Sequence, residues 1–410
     1  MMKANSIAEA LVRIASSCEI EHFMPGDNRE PPFRAFGFGP DALVVRGEDN
    51  SKAFNSGVEE LYNSSPDLTH AITVDEFESR LVTVISTCKK AKFLPTADTA
   101  RDLIAGILKE PCKDWTVVRP LYGASIGSLP ELKLGSFTLF PYKSIHTYIK
   151  TINTNWTQVN GDFFQDCPLL CISCTIDSST GNRAQELASI IFEKFELIIA
   201  YMLGTRDSRY SVAVLNIRHR HVEKSMAIAS DSMSMLSLRI GPHQDVDLSD
   251  YYFRSSDTGH ERLWQLISQR THNEMEKRLL NSIEWTGRAI LDDDDAKAII
   301  QSMLAVESLL QVDQRDIVKP SIGSQIAETA AFILGKDCES RIHTERRVKE
   351  LYSRRSAYVH AGSRHVERQD LYDAIDLARG ITHAFLVSSP YATMQKSAEI
   401  PAYIQELRYQ

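Results

Sequence analysis

The chain has 410 residues, 43% of them hydrophobic, with 46 Lys and Arg against 54 Asp and Glu, for a formal net charge of −8. This length and apolar content can fill substantial cores and predict two domains, while the negative total excludes a general nucleic-acid coat protein without speaking for local patches. Seven scattered cysteines fit a reducing compartment. The N-terminal "MMKANSIAEALVRIASSCEI" interrupts its apolar residues with Glu9 and Arg13, and the most apolar long run, from Leu187, carries Glu193, Lys194 and Glu196. Neither reads as a signal peptide or a membrane span, so the expectation is a cytoplasmic, soluble protein with no membrane association.

In chain order, the first part mixes two periods. "ALVVRG" near Val44, "WTVVRPLYG" near Val118, "KLGSFTLFPY" near Phe137, "PLLCISCTID" near Ile172, "SVAVLNI" near Val214 and "MLSLRI" near Leu236 predict strands. "DEFESRLVTVISTCKKA", "ADTARDLIAGILKE" and the Leu187 segment repeat their apolar residues at helical spacing. The strands are separated irregularly, which predicts an α+β domain rather than a doubly wound sheet. From about Thr258 onward strand signals almost vanish. "HERLWQLISQRTHNEMEKRLLNSIEWTGRAIL" reads as one long helical pattern, and the acidic run Asp292 to Asp295 suits the start of the next helix, "AKAIIQSMLAVESLLQV". "SIGSQIAETAAFILG" ends on Gly335, a helix around Arg355 follows, and "ERQDLYDAIDLARGITHAFLVSS" is the last long one. The expected architecture is an α+β domain over 1–256 and an all-α bundle over 257–410, divided at the polar "YFRSSDTGHE" around Ser255.

Several patterns suggest chemistry that their context argues against. Cys167, Cys171 and Cys174 have a spacing seen around iron–sulfur clusters, but alternation along a strand sends Cys171 and Cys174 to opposite faces. His219 and His221 form a possible metal pair without a nearby third ligand, and His243, Asp245 and Asp247 share that weakness. No glycine-rich phosphate loop, H-E-x-x-H or G-x-S-x-G is present. Arg254 and His260 lie in a polar loop in which nothing suggests catalysis.

The segment "KELYSRRSAYVHAGSRH", Lys349 to His365, is different. Stepping three or four residues at a time gives Val348, Leu351, Arg355, Tyr358 and Gly362, so a permanent charge occupies an apolar line. Left unpaired there it costs several kcal/mol, so Arg355 should face a carboxylate, a ligand or a shared cleft. Ser356 and His360 stand one turn apart, with Tyr352 a turn earlier. Arg341, Arg346, Arg347, Lys349, Arg354, Arg355, Arg364 and Arg368 make a basic island that suits a polyanion.

"LYSRRSAYVHAG" is similar to the pattern Tyr-x-x-Arg-Ser-x-x-Val-His-x-Gly of the HEPN superfamily, especially its ApeA-like branch, and "AIIQSMLAVESLL" resembles an earlier helix of that branch. The resemblance covers the C-terminal third, and helix order there fits an HEPN-type bundle. It implies a metal-independent endoribonuclease without a cofactor, often a toxin or antiviral effector, that takes RNA as substrate. Arg355 and His360 match the paired catalytic positions, Ser356 the polar residue after the arginine and Glu307 the acidic position. Arg354, Tyr352, Arg364 and His365 flank them as candidate substrate contacts. The same resemblance allows a catalytically silent interaction or nucleotide-binding module, which the intact Arg-Ser…His set argues against. The apolar line through Val348, Leu351 and Tyr358 is expected to border a two-fold seam, giving a homodimer through the C-terminal domain. The N-terminal domain is expected to act as sensor or regulator, with a phage-derived or other protein as trigger.

Overall fold

The computed structural model describes residues 4–24, 34–154, 170–207, 210–214, 223–228, 234–239, 244–312, 321–361 and 366–409. Two compact units emerge, Met1–Val117 with Thr175–Ser189 and Val118–Cys174 with Ile190–Gln410.

In the first unit, helix α1 (Ala4–Ser16) precedes a small antiparallel sheet of β1 (Glu19–Phe23), β2 (Arg34–Phe36) and β3 (Gly39–Val45), in the order β1-β3-β2. Helices α2 (Glu48–Tyr62), α3 (Pro66–Ala71), α4 (Val74–Lys90) and α5 (Ala97–Leu108) follow. Local chemistry sets their starts: Thr73 and Glu76 cap each other's backbone at the head of α4, and Thr96 and Thr99 do so at α5. The inward stripe of α1, Ala10, Leu11 and Ile14, meets Leu43 and Val45 of β3 and Phe54, Phe77 and Leu81 in one core.

The chain next forms β4 (Lys113–Leu121), β5 (Ala124–Ser125), β6 (Leu132–Leu134), β7 (Phe137–Pro141), α6 (Ile145–Ile152), β8 (Leu170–Ser178), α7 (Gly181–Leu203), β9 (Glu223–Ile228), β10 (Ser234–Arg239) and β11 (Val246–Asp247). It passes between the units within β4, β8 and α7. One sheet has the order β4-β8-β7-β6, and antiparallel β7 and β8 pair Leu139 with Ile172. Strands β9 and β10 make an antiparallel pair, while β5 and β11 pair in parallel. The strand expected near Val214 is reduced to an isolated bridge between Ala213 and Tyr122 among the described residues. Phe137 stacks edge-on against Phe195 of α7 at 4.9 Å between ring centres and lies 6.3 Å from Trp264, a shared aromatic centre.

The C-terminal half is predominantly helical: α8 (His260–Ser268), α9 (Glu274–Leu291), α10 (Asp295–Leu310), α11 (Ile322–Leu334), α12 (Cys338–Ala361), α13 (Arg368–Val387) and α14 (Glu399–Arg408). The single long pattern expected from His260 to Leu291 is broken in two. Gln269 turns extended after α8, and Asn273 caps α9 in a reciprocal box with Glu276, so strong capping chemistry overrides a continuous apolar period. Asp294 caps α10 by accepting from the amides of Ala296 and Lys297. A Cβ at Gly287 would collide with the Leu197 carbonyl, so glycine lets α9 approach α7 closely. Helix α10 packs against α9, α11, α12 and α13 and buries Ile299, Met303, Val306 and Leu309. The stretch around Ser255, read as a boundary, lies inside the second unit, where Phe253 is buried and its carbonyl accepts from Trp264 Nε1 at 2.7 Å. No helix of the described residues is long and apolar enough to cross a membrane.

Candidate functional site

Helix α12 meets two different neighbours along its length. Toward α13 it presents Arg347 and Arg354, seven residues and therefore about two turns apart on one face. Arg347 reaches Asp370 at 2.7 Å and Asp373 at 2.6 Å, and Arg354 reaches Glu367 at 3.0 Å and Asp370 at 3.4 Å. Leu351 and Tyr358 lie near this face, and with Val348 they are buried within the chain's own fold. The apolar line from which the two-fold seam was argued is therefore covered without a second copy.

Toward α10 and α11 the helix presents Tyr352 and Arg355. The Arg355 guanidinium stands 3.6 Å from Glu307 Oε1 on α10, an ion-pair distance longer than a hydrogen bond. Both side chains are mostly buried, 22% and 14% exposed. Arg355 Nε and Glu307 Oε1 are themselves buried with no hydrogen-bond partner among the described residues. Arg355 also sits over the Tyr352 ring, 5.9 Å from its centre. Burial, then the Glu307 carboxylate, pushes the Tyr352 phenol above its ordinary range. Gly323 of α11 leaves room for that ring, since a Cβ there would lie 2.8 Å from Tyr352 Cδ1.

Of the expected site residues, Arg355, Glu307 and Tyr352 thus come together. Ser356 is half-buried on the next position of α12. His360 falls in the last turn of α12, on the register of Ser353, Ser356 and Ala357; its side chain, and Arg364 and His365 altogether, lie outside the described residues. Five residues of ideal helix turn by about 140°, so the register of His360 is well round the helix from that of Arg355. Arg354, an expected substrate contact, is engaged with α13 instead of with this group.

The other patterns resolve plainly. Cys171 and Cys174 are buried in β8, and burial pushes the Cys174 thiol up to about 12, the behaviour of an inert core thiol. Cys167, His219, His221 and His243 lie outside the described residues, Asp245 is exposed, and Asp247 accepts from the Ser249 amide and hydroxyl. Among the described residues, no three His, Cys, Asp or Glu side chains gather as a metal site would require.

Sequence reasoning missed Asp370, only 1% exposed at the head of α13. A signal was present. Asp370 begins the apolar line Ala374, Ala378, Ile381 and shares a stripe with Glu367 and Asp373, opposite an arginine pair at helical spacing.

No protein-family model matches the chain, and no curated protein or solved structure matches it either.

Proposed function

We propose that the chain is a metal-independent HEPN-type endoribonuclease whose reacting groups are Arg355 and His360. The observation that supports it most is Arg355 itself: a guanidinium held in a mostly buried setting beside Glu307, not tied by a hydrogen bond to it, on the helix whose last turn carries His360. A planar, permanently charged fork suits a phosphate. In the reaction a ribose 2′-hydroxyl attacks its own phosphorus, losing its proton to a base, while the 5′-oxygen leaves and takes a proton from an acid. The His360 imidazole serves in proton transfer and Arg355 stabilises the phosphorane charge, leaving a 2′,3′-cyclic phosphate and a 5′-hydroxyl.

The angular offset between Arg355 and His360 favours a homodimer through the C-terminal region, in which two copies bring both pairs to one cleft. Its contact is assigned to the exposed side of α12, with Ser353 and Ala357, since Val348 and Leu351 are already buried. The N-terminal α+β region, 1–256, is assigned a sensing or regulatory role in toxin or phage-defence biology. The competing reading, a silent HEPN interaction or nucleotide-binding module, draws on the Arg355–Glu307 pair serving the fold alone. Incubating the full chain with single-stranded RNA in EDTA separates them: the ribonuclease cleaves, the silent module does not.

A further inference from the structure

We propose that Asp370 is a positioning residue for this site: its buried carboxylate clamps the middle of α12 to the head of α13 and so fixes the helix on which Arg355 and His360 stand. The proposal rests on the reading of those two as the reacting groups. Asp370 Oδ1 accepts from Arg347 Nη2 at 2.7 Å, and Oδ2 lies 3.4 Å from Arg354 Nε. Each arginine has a second hold on α13, Arg347 through Asp373 and Arg354 through Glu367. One carboxylate in the first turn of α13 thereby spans two turns of α12.

Why spend a buried charge where an apolar side chain would pack? Buried ion pairs are weak sources of net stability, and their best-attested use is to fix register. Val348 and Leu351 already supply apolar contact, which tolerates small rotations of a helix about its axis. Hydrogen bonds from Arg347 to two separate carboxylates do not tolerate them. Rotation matters here because Arg355 follows Arg354 directly, and turning α12 would carry Arg355 away from Glu307. The clamp also brackets the connection between the helices, with Arg354 six residues before His360 and Glu367 just ahead of α13.

The test uses the full chain and its Asp370→Asn, Asp370→Glu, Arg354→Gln and Arg347→Gln variants. Steady-state cleavage of an RNA oligonucleotide and amide hydrogen exchange are measured on each. Asp370→Asn and Arg354→Gln should lower kcat by about ten- to a hundredfold with KM close to wild type, as expected when reacting groups are misplaced rather than removed. Amides 355–361 should exchange faster while those of α9 and α10 stay protected, and Asp370→Glu should recover part of the loss. Arg347→Gln, farther from the site, should act less on kcat. If Asp370→Asn does not fold, the half-exposed Arg354→Gln carries the test. A raised KM with unchanged kcat in Arg354→Gln would make that residue an RNA contact and overturn the clamp, as would an even loss of protection across the bundle with normal turnover per folded molecule. Should the wild type cleave no RNA, the ribonuclease reading fails, and exchange at 355–361 still decides: local loss supports the clamp, unchanged exchange overturns it.

Discussion

The chain contains two arginine–histidine pairs of similar spacing, and their surroundings are opposite. Arg254 is exposed and donates to the Ser249 carbonyl at 2.8 Å, while His260 is buried, with Nδ1 2.7 Å from the Tyr252 carbonyl and its ring edge-on to Tyr252. Both side chains hold the turn that leads into α8. Arg355 instead faces a carboxylate across a gap, on a helix packed against α10. Spacing alone distinguishes nothing; burial of the guanidinium beside a carboxylate does.

The widest separation between the two pairs should appear in catalysis. Arg355→Ala and His360→Ala are each expected to lower RNA cleavage by about two to four orders of magnitude while the folded fraction, read by circular dichroism, stays near wild type. Cleavage per folded molecule in His260→Ala and Arg254→Ala should match wild type. Stability should show the reverse order. His260→Ala empties a buried position and loses a hydrogen bond, so denaturant unfolding should report a loss of about 2–4 kcal/mol. Gly323→Ala sharpens the picture from the other side by forcing the Tyr352 ring to move, at about 1–3 kcal/mol. Arg254→Ala, on the surface, should change stability by no more than about 0.5 kcal/mol.

A smaller effect is pH-dependent. Burial holds the His260 imidazole below the ordinary histidine value, so the unfolded chain binds the proton more readily than the folded one. Its contribution is complete above about pH 6.5 and declines as pH falls through that value toward the folded one. Thermal melts from pH 8 to 5 should therefore slope downward toward acid, and His260→Gln should flatten that slope.

Much of the fold was legible because long elements carry their own period. The strands near Val44, Val118, Phe137, Ile172 and Leu236 are β3, β4, β7, β8 and β10, and α4, α5 and α7 lie where apolar spacing put them. Helix α2 escaped notice because "EDNSKAFNSGVEELY" spreads few apolar residues, Phe54, Val58 and Leu61, among polar ones. Strand β2 is three residues long, too short for any period to show. The charge of Arg355 on an apolar line called for a carboxylate, a ligand or a shared cleft, and the Glu307 carboxylate stands 3.6 Å from it. The same line does not supply the seam expected of it, since Val348, Leu351 and Tyr358 are buried within the chain itself: periodicity shows that a face is buried and not by whom. Asp370 demanded pairing two charge stripes on different helices, information that lies in packing rather than in either segment alone.

The most direct measurement of the central claim is the chemistry of the product ends, mapped after incubating wild-type, Arg355→Ala and His360→Ala chains with a defined RNA in EDTA. Wild type should leave 2′,3′-cyclic phosphate and 5′-hydroxyl ends, with both variants inactive and a 2′-deoxy substitution blocking its own cut site. A requirement for magnesium with 5′-phosphate products, or wild-type cleavage by Arg355→Ala, would contradict the account.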